Sequence, residues 1–314
     1  MAEKESSKGV SSYWAKHYGN GKDASTGGAS GSSTGSSSKK DPKGKSGKKA
    51  RKKRRKFSQY SRSDKRVMII GGLIILLILI WPVKRVIEVI DQGPSSGDSI
   101  PEGILKGSYS YGIDISVHNG DDIIWDSLYV MVDPSGHTTK DLMSSKEIFP
   151  VDFVFMKATE AVTFVDNNFK DNWENAGKVN IKRGAYHFFR TNYDPATQAE
   201  NFIRTVGTMR YKDLPPVLDI EDIHKGCTNE QLNAACRKWL EIVEKHYGKK
   251  PIIYTYESFA KNHLSQDLIN SYPLWIAHYE TPYPMRDDWE YWQLSCKAVI
   301  YGIKGKVDLD VKKR

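Results

Sequence analysis

Cysteine is scarce. The 314 residues contain three, Cys227, Cys236 and Cys296, too few for a fold stapled by disulfides. Cys227 and Cys236 stand nine apart, close enough for a bridge if the fold brings them together, and Cys296 would then be unpaired. Ordinary packing is the plainer reading, and a bridge gains weight only if the domain is exported. No Cys-x-x-Cys and no Cys/His spacing marks a metal site, so no metal and no cofactor is expected. Acidic residues are nearly missing from the front of the chain. Residues 1–66 hold 19 Lys/Arg against 5 Asp/Glu, a net of +14, whereas the remainder is net −5. The overall charge of +9 therefore belongs to a tail, and a nucleic-acid-binding reading of the whole protein loses its main support.

That tail, residues 1–66, also lacks the apolar residues that would order it. Residues 27–38 are nearly all Gly, Ser and Thr, and residues 48–56 are a block of cations; such a segment reads as disordered. An uncharged run of 17 residues follows, residues 67–83, VMIIGGLIILLILIWPV. As a helix it spans about 26 Å, at the short end of what crosses a bilayer. Trp81 sits where an interfacial aromatic belongs, and the cations massed upstream place residues 1–66 in the cytoplasm by the positive-inside rule. The expectation is a single-pass signal anchor in a plasma or inner membrane, with the C-terminal part periplasmic or extracellular and the basic block against anionic head groups. Residues 84–107, which include Gly93-Pro94-Ser95-Ser96-Gly97 and show no strong period, read as a linker.

From residue 108 to 314 strand-like and helix-like segments alternate, as in α/β domains. Strands are expected at residues 111–115, 153–158, 183–189, 216–220, 251–255, 274–278, 291–294 and 307–309. Helical spacing runs through Phe169, Trp173 and Ala176. Asp194-Pro195 is a helix start. Thr228-x-x-Gln231 is a capping box whose helix ends near Gly248. Eight strands with few helices suggest a TIM-like barrel missing some of its helices. Polar residues gather at the C-terminal ends of the strands: Asp114, Glu160, His187, Asp219, Glu221, Tyr254, His278 and Gln293. That end carries the active site in such barrels.

The most informative stretch is Pro216-Val217-Leu218-Asp219-Ile220-Glu221. Alternation along a strand points Asp219 and Glu221 the same way. Two carboxylates in one apolar site push a pKa up, so one keeps its proton near neutral pH. An acid beside a base is what glycoside cleavage needs. A bare Asp-x-Glu is also what a strand end meeting solvent would show, so the rest of the chain has to decide.

It does so through a series of matching segments. Gly112-Ile113-Asp114-Ile115-Ser116, Phe153-Val154-Phe155-Met156-Lys157-Ala158-Thr159-Glu160, Gly184-Ala185-Tyr186-His187-Phe188-Phe189, Val217 to Glu221, Leu274-Trp275-Ile276-Ala277-His278-Tyr279, Trp292-Gln293 and Val307-Asp308-Leu309 occur in one order. In this the chain resembles the glycoside hydrolase family 25 lysozymes, the Chalaropsis-type muramidases. The resemblance implies an incomplete (β/α) barrel that cleaves the β-1,4 bond between N-acetylmuramic acid and N-acetylglucosamine in peptidoglycan, its glycan strands being the partner. It implies Glu221 as general acid, Asp219 as the group that orients substrate or stabilises positive charge, and Asp114 and Asp308 as outer acids. Tyr186, Glu160, Tyr254, Trp275, His278 and Gln293 are the candidate substrate contacts; Tyr279 and Trp292 could also stack on sugars. Lys157 and Glu160 could instead pair with each other, and His187 and His278 could hydrogen-bond within the barrel mouth. Three departures stand out. Ala161 replaces the glycine that usually follows Lys-Ala-Thr-Glu, residues 130–148 look inserted and could add a wall to the groove, and Asp310 stands where Asn is common. The competing reading is a membrane-tethered peptidoglycan-binding scaffold without catalysis.

Overall fold

The computed structural model describes residues 96–314 apart from 121 and 280–282. The expected tail and apolar run, residues 1–83, lie outside the described residues. Among the described residues no helix is long and apolar enough to cross a membrane.

Eight strands close into a ring: β2 (Tyr109–Ile115), β5 (Glu147–Glu160), β7 (Lys182–Phe188), β8 (Val217–Asp219), β9 (Ile252–Tyr256), β10 (Leu274–Ala277), β11 (Tyr291–Ala298) and β12 (Val307–Lys313). From β2 round to β11 every pair is parallel. β12 runs antiparallel to both β11 and β2 and closes the ring. Chain length explains the reversal. Residues 299–306 are too few for the crossover that a parallel return requires.

The side-chain period of two sorts residues between an inner and an outer core. Phe153, Phe155, Val217, Ile252, Trp275 and Tyr291 fill the barrel. Gly112 and Gly184 make room for them, since a Cβ on either would stand 2.1 Å from the ring of Phe153 or 2.4 Å from that of Phe155. The alternate residues, among them Ile113, Val154, Leu218, Ile253, Ile276 and Leu309, face outward into a second apolar layer. Helices cover part of that layer: α2 (Phe169–Ala176), α3 (Pro195–Val206), α4 (Asn229–Tyr247), α5 (Glu257–His263) and α6 (Gln266–Ser271). Their starts are where the caps are. The Asp194 carboxylate accepts from Thr197 N at 2.7 Å. Thr228 and Gln231 form the reciprocal box, and α4 ends on Gly248 in the left-handed region.

No helix follows β2. Its place is taken by a small sheet in the order β1-β4-β3-β5, built from β1 (Ser96–Ser99), β3 (Tyr129–Val132), β4 (His137–Thr139) and the start of β5. This is the expected insertion. Its Val130 and Val132 are buried in the same outer layer as Ile113 and Val311, so it clothes the barrel's side. The segment read as linker takes part as well. β1 pairs with β4, and a short helix α1 (Glu102–Lys106) buries Ile104. The apolar residues Ile100 and Ile104 are too few to announce a period, yet both reach the core.

Candidate active site

Asp219 ends β8, and Glu221 follows two residues later with its side chain on the same inner face. Both are almost wholly buried, at 5% and 7% exposure. Asp219 Oδ1 and Glu221 Oε1 have no hydrogen-bond partner in the protein. A buried polar atom left unpaired is costly, and both stand at the C-terminal end of β8.

Three more carboxyls come from the seam where the reversed strand closes the ring. Asp308 pairs in register with Asp114 of β2, and Asp310 lies one inward position further along β12, opposite Gln293 of β11. Gln293 is fixed by what surrounds it. Its Oε1 accepts from Tyr254 Oη at 2.8 Å and also from Tyr279 Oη, so its Nε2 must face the other way, where it donates to Asp114 Oδ2 at 2.6 Å. Trp275 Nε1 donates to Asp310 Oδ1 at 2.8 Å.

Burial raises the pKa of all five acids, but their surroundings differ. Asp114 is pushed up to about 6, restrained by the hydrogen bonds from Gln293, Asp310 and Asp308. Asp308 and Asp310 are raised by burial and then by the charge of Asp114. Asp219 is raised by burial; the Lys157 and Arg190 cations pull it back, while Asp114 and Glu160 push it further up. Glu221 is raised by burial and then by Asp219, Asp222, Asp114 and Asp308. The two neighbours thus differ in what surrounds them: cations act on Asp219, and other carboxylates act on Glu221. Two adjacent carboxyl groups in different surroundings are the pattern from which an acid and an anion can be drawn.

The cations of the rim are themselves held. Arg190, just past β7, donates to Glu160 Oε1 at 2.7 and 2.9 Å and to Asp222 Oδ2 at 2.8 Å. Lys157 Nζ donates to Glu160 Oε2 at 2.7 Å. Burial alone would raise Glu160; Lys157 and Arg190 overcome it and hold its carboxyl below the usual range. Lys157 and Glu160 are thus paired with each other.

The other sequence candidates divide. Tyr254 and Gln293 join the acid cluster. Tyr186 lies on the inner face beside Val217. His278, beyond the end of β10, sits with Nδ1 2.9 Å from Glu257 Oε2. Trp275, expected as a sugar platform, is 2% exposed and is stacked on Phe155 with Tyr254 against its edge; it is the floor under Asp310. Trp292 faces outward and donates to the carbonyl of His278. His187 also points out of the barrel. It is wholly buried against Trp239 and Phe202 and bonded to Thr159 and Gln198, because its odd place in β7 puts it on the helix side. Burial depresses its pKa to about 4. The sequence reading missed Arg190 and did not count Asp310 among the site residues, although Asp308-x-Asp310 carries the same two-residue spacing as Asp219-x-Glu221. It also missed Phe164, an exposed aromatic on the short β6 (Phe164–Val165) that folds back on the end of β5. All three cysteines are free thiols. Among the described residues no group of His, Cys, Asp or Glu is arranged to hold a metal ion.

The family model of the glycosyl hydrolases family 25 matches residues 113–303, the stretch that holds Asp114, Asp219, Glu221 and Gln293. The chain belongs to glycosyl hydrolase family 25. Among its relatives, YegX of Escherichia coli, an uncharacterised protein, is 40% identical over 161 residues, which is 51% of this chain and 58% of YegX. The autolytic lysozyme of Clostridium acetobutylicum is 33% identical over 178 residues, 56% of this chain and 53% of that protein. The chain spans about half the length of the curated relatives it matches. Among solved structures, a family 25 glycosyl hydrolase from Bacillus anthracis superposes with a TM-score of 0.53 at 31% identity, covering 65% of this chain and 89% of that one. A bacterial lysozyme from Streptomyces coelicolor gives 0.55 at 26% identity, covering 65% and 92%. The eight-stranded barrel is thus the family 25 barrel, and its acids stand in the mouth of that fold.

Proposed function

We propose that the barrel mouth is that of a peptidoglycan muramidase, which hydrolyses the β-1,4 bond between N-acetylmuramic acid and N-acetylglucosamine. The observation that carries this reading is the pair at the end of β8: Glu221 is buried among other carboxylates, and beside it Asp219 has the Lys157 and Arg190 cations acting on it. Relatives and structural neighbours named as lysozymes support the substrate class.

In this mechanism the Glu221 proton passes to the glycosidic oxygen as the C1–O bond breaks. The ionised Asp219 orients the acetamido group of the muramic acid, whose oxygen closes on C1. This substrate-assisted route is a recognised alternative to a protein nucleophile. Water then opens the ring intermediate, and its proton returns to Glu221. Asp114, held by Gln293, supplies negative charge near the oxocarbenium-like centre. Configuration is retained.

The protein does this on a tether. Residues 67–83 cross a plasma or inner membrane, residues 1–66 stay in the cytoplasm, and the barrel faces the cell wall. The uncharged run and the cations upstream of it support this placement. Cell-wall turnover or remodelling is the corresponding role.

The deciding experiment is digestion of purified peptidoglycan by wild type and Glu221→Gln, with products read by mass. Wild type releases muropeptides with reducing muramic acid ends. Glu221→Gln loses at least ~100-fold in rate, the usual contribution of a general acid, while its unfolding transition persists. Equal activity of the two proteins would remove the assignment.

A further inference from the structure

Asp310 has no part in the mechanism above, yet it is wholly buried in the acid cluster. Its Oδ1 accepts from Trp275 Nε1 at 2.8 Å, while Oδ2 is buried without a partner. The groups that act on it or lie beside it come from four strands. Asp114 comes from β2, Asp308 from its own strand, Gln293 and Tyr291 from β11, and Trp275 from β10. None is a cation. Lys312, the next inward position of β12, is engaged with Glu290 at 2.9 Å.

An ionised Asp310 would bury an anionic oxygen with no donor, beside two other carboxyls, a cost of several kcal/mol by general experience of buried charges. The un-ionised acid avoids this. The proton turns the orphan oxygen into a donor, and the acceptor within hydrogen-bonding reach is Asp114. Direction follows from Gln293. Its oxygen accepts from Tyr254 and Tyr279 and its N–H is presented to Asp114, so Asp114 is already an acceptor and the proton of the carboxyl pair comes from Asp310.

We propose that Asp310 is a positioning residue: it keeps a proton and donates it in a hydrogen bond to Asp114, fixing Asp114 as the anion of the acid cluster. Asp114 then accepts from Gln293 on one side and from Asp310 on the other. Its charge stays in one place at the seam of the barrel instead of being shared among three acids. An amide N–H at position 310 serves equally well, and an alkyl side chain does not.

The kinetic part of the test rests on the muramidase reading; the spectroscopic part does not. Asp310→Ala removes the donor, so the acidic limb of the kcat/KM profile on solubilised peptidoglycan moves to higher pH by about one unit, as loss of a hydrogen bond to a charged form requires. At a pH near 6 the rate falls about fivefold. Asp310→Asn restores both to within about twofold. Independently of any activity, the infrared carbonyl band of un-ionised carboxyl groups at neutral pH loses one group's intensity in Asp310→Asn relative to wild type. The proposal is overturned if Asp310→Asn is as damaged as Asp310→Ala, if the acidic limb of Asp310→Ala stays where wild type has it, or if the infrared band is unchanged. Should wild type digest no peptidoglycan, the muramidase reading falls, and the infrared comparison still decides the state of Asp310. It also decides it if Asp310→Ala does not fold.

Discussion

Gln293 Nε2 donates to Asp114 Oδ2 at 2.6 Å, while its oxygen accepts from Tyr254 and Tyr279. A neutral amide on β11 thereby fixes the direction of a carboxylate on β2. Gln293→Leu is expected to leave two tyrosine hydroxyls and one carboxyl oxygen unpaired. The cost to folding is about 1–3 kcal/mol, the range for stranding buried polar groups. Urea unfolding at pH 7 measures it, and muramidase rate falls in parallel with it.

Glu221 makes stability and activity oppose each other. Its folded-state pKa lies well above the value of 4.5 for a free glutamate. Below 4.5 the group is protonated folded and unfolded alike, and contributes nothing. As pH rises above 4.5 the unfolded chain releases the proton while the folded one keeps it. Folding is penalised by about 1.4 kcal/mol per pH unit until the folded proton leaves too. Glu221→Gln should therefore be more stable than wild type at pH 7, by a margin that shrinks as pH falls and vanishes below about 4. Thermal unfolding across pH 3–8 tests the sign.

Ala161 follows Glu160 with φ of 49°, the only non-glycine with positive φ among the described residues. Asn201 of α3 holds its carbonyl, together with that of Phe164, so the turn cannot relax. A Cβ in this region costs roughly 1–2 kcal/mol and glycine's extra freedom offsets part of the gain. Ala161→Gly is expected to stabilise the barrel by about 0.5–1 kcal/mol, raising Tm by a few degrees. Calorimetry showing no rise would mean that the loop is not held as the hydrogen bonds indicate.

At the other end of the barrel Arg183 and Asp213 form a fully buried pair, with Nε–Oδ1 at 2.9 Å and Nη2–Oδ2 at 3.2 Å. The guanidinium also lies over Trp173 at 4.1 Å. Removing one partner strands the other charge, at a cost of about 3–5 kcal/mol. Asp213→Ala should show that loss in urea. Activity per folded molecule should be unaffected, since neither residue touches the acids of the mouth.

Much of the structure was legible along the chain, and the reason is locality. A period of two puts Asp219 and Glu221 on one face wherever the strand goes, and Thr228-x-x-Gln231 caps a helix through contacts three residues apart. The strands and caps anticipated from such patterns are present, with bounds moved by one or two residues in most cases. What the sequence left undecided depends on where the barrel closes. The reversed β12 sets Asp308 beside Asp114 and carries Asp310 onto the indole of Trp275. Ring closure joins positions almost 200 residues apart, and no local period encodes it. The placing of His187 under the helices, and of Trp275 as floor rather than platform, follows from packing around them. So does the difference between the two central acids: spacing makes Asp219 and Glu221 neighbours, but it is the fold that brings Lys157 and Arg190, from β5 and the end of β7, to act on Asp219, because only folded proximity gives a charge leverage over a pKa.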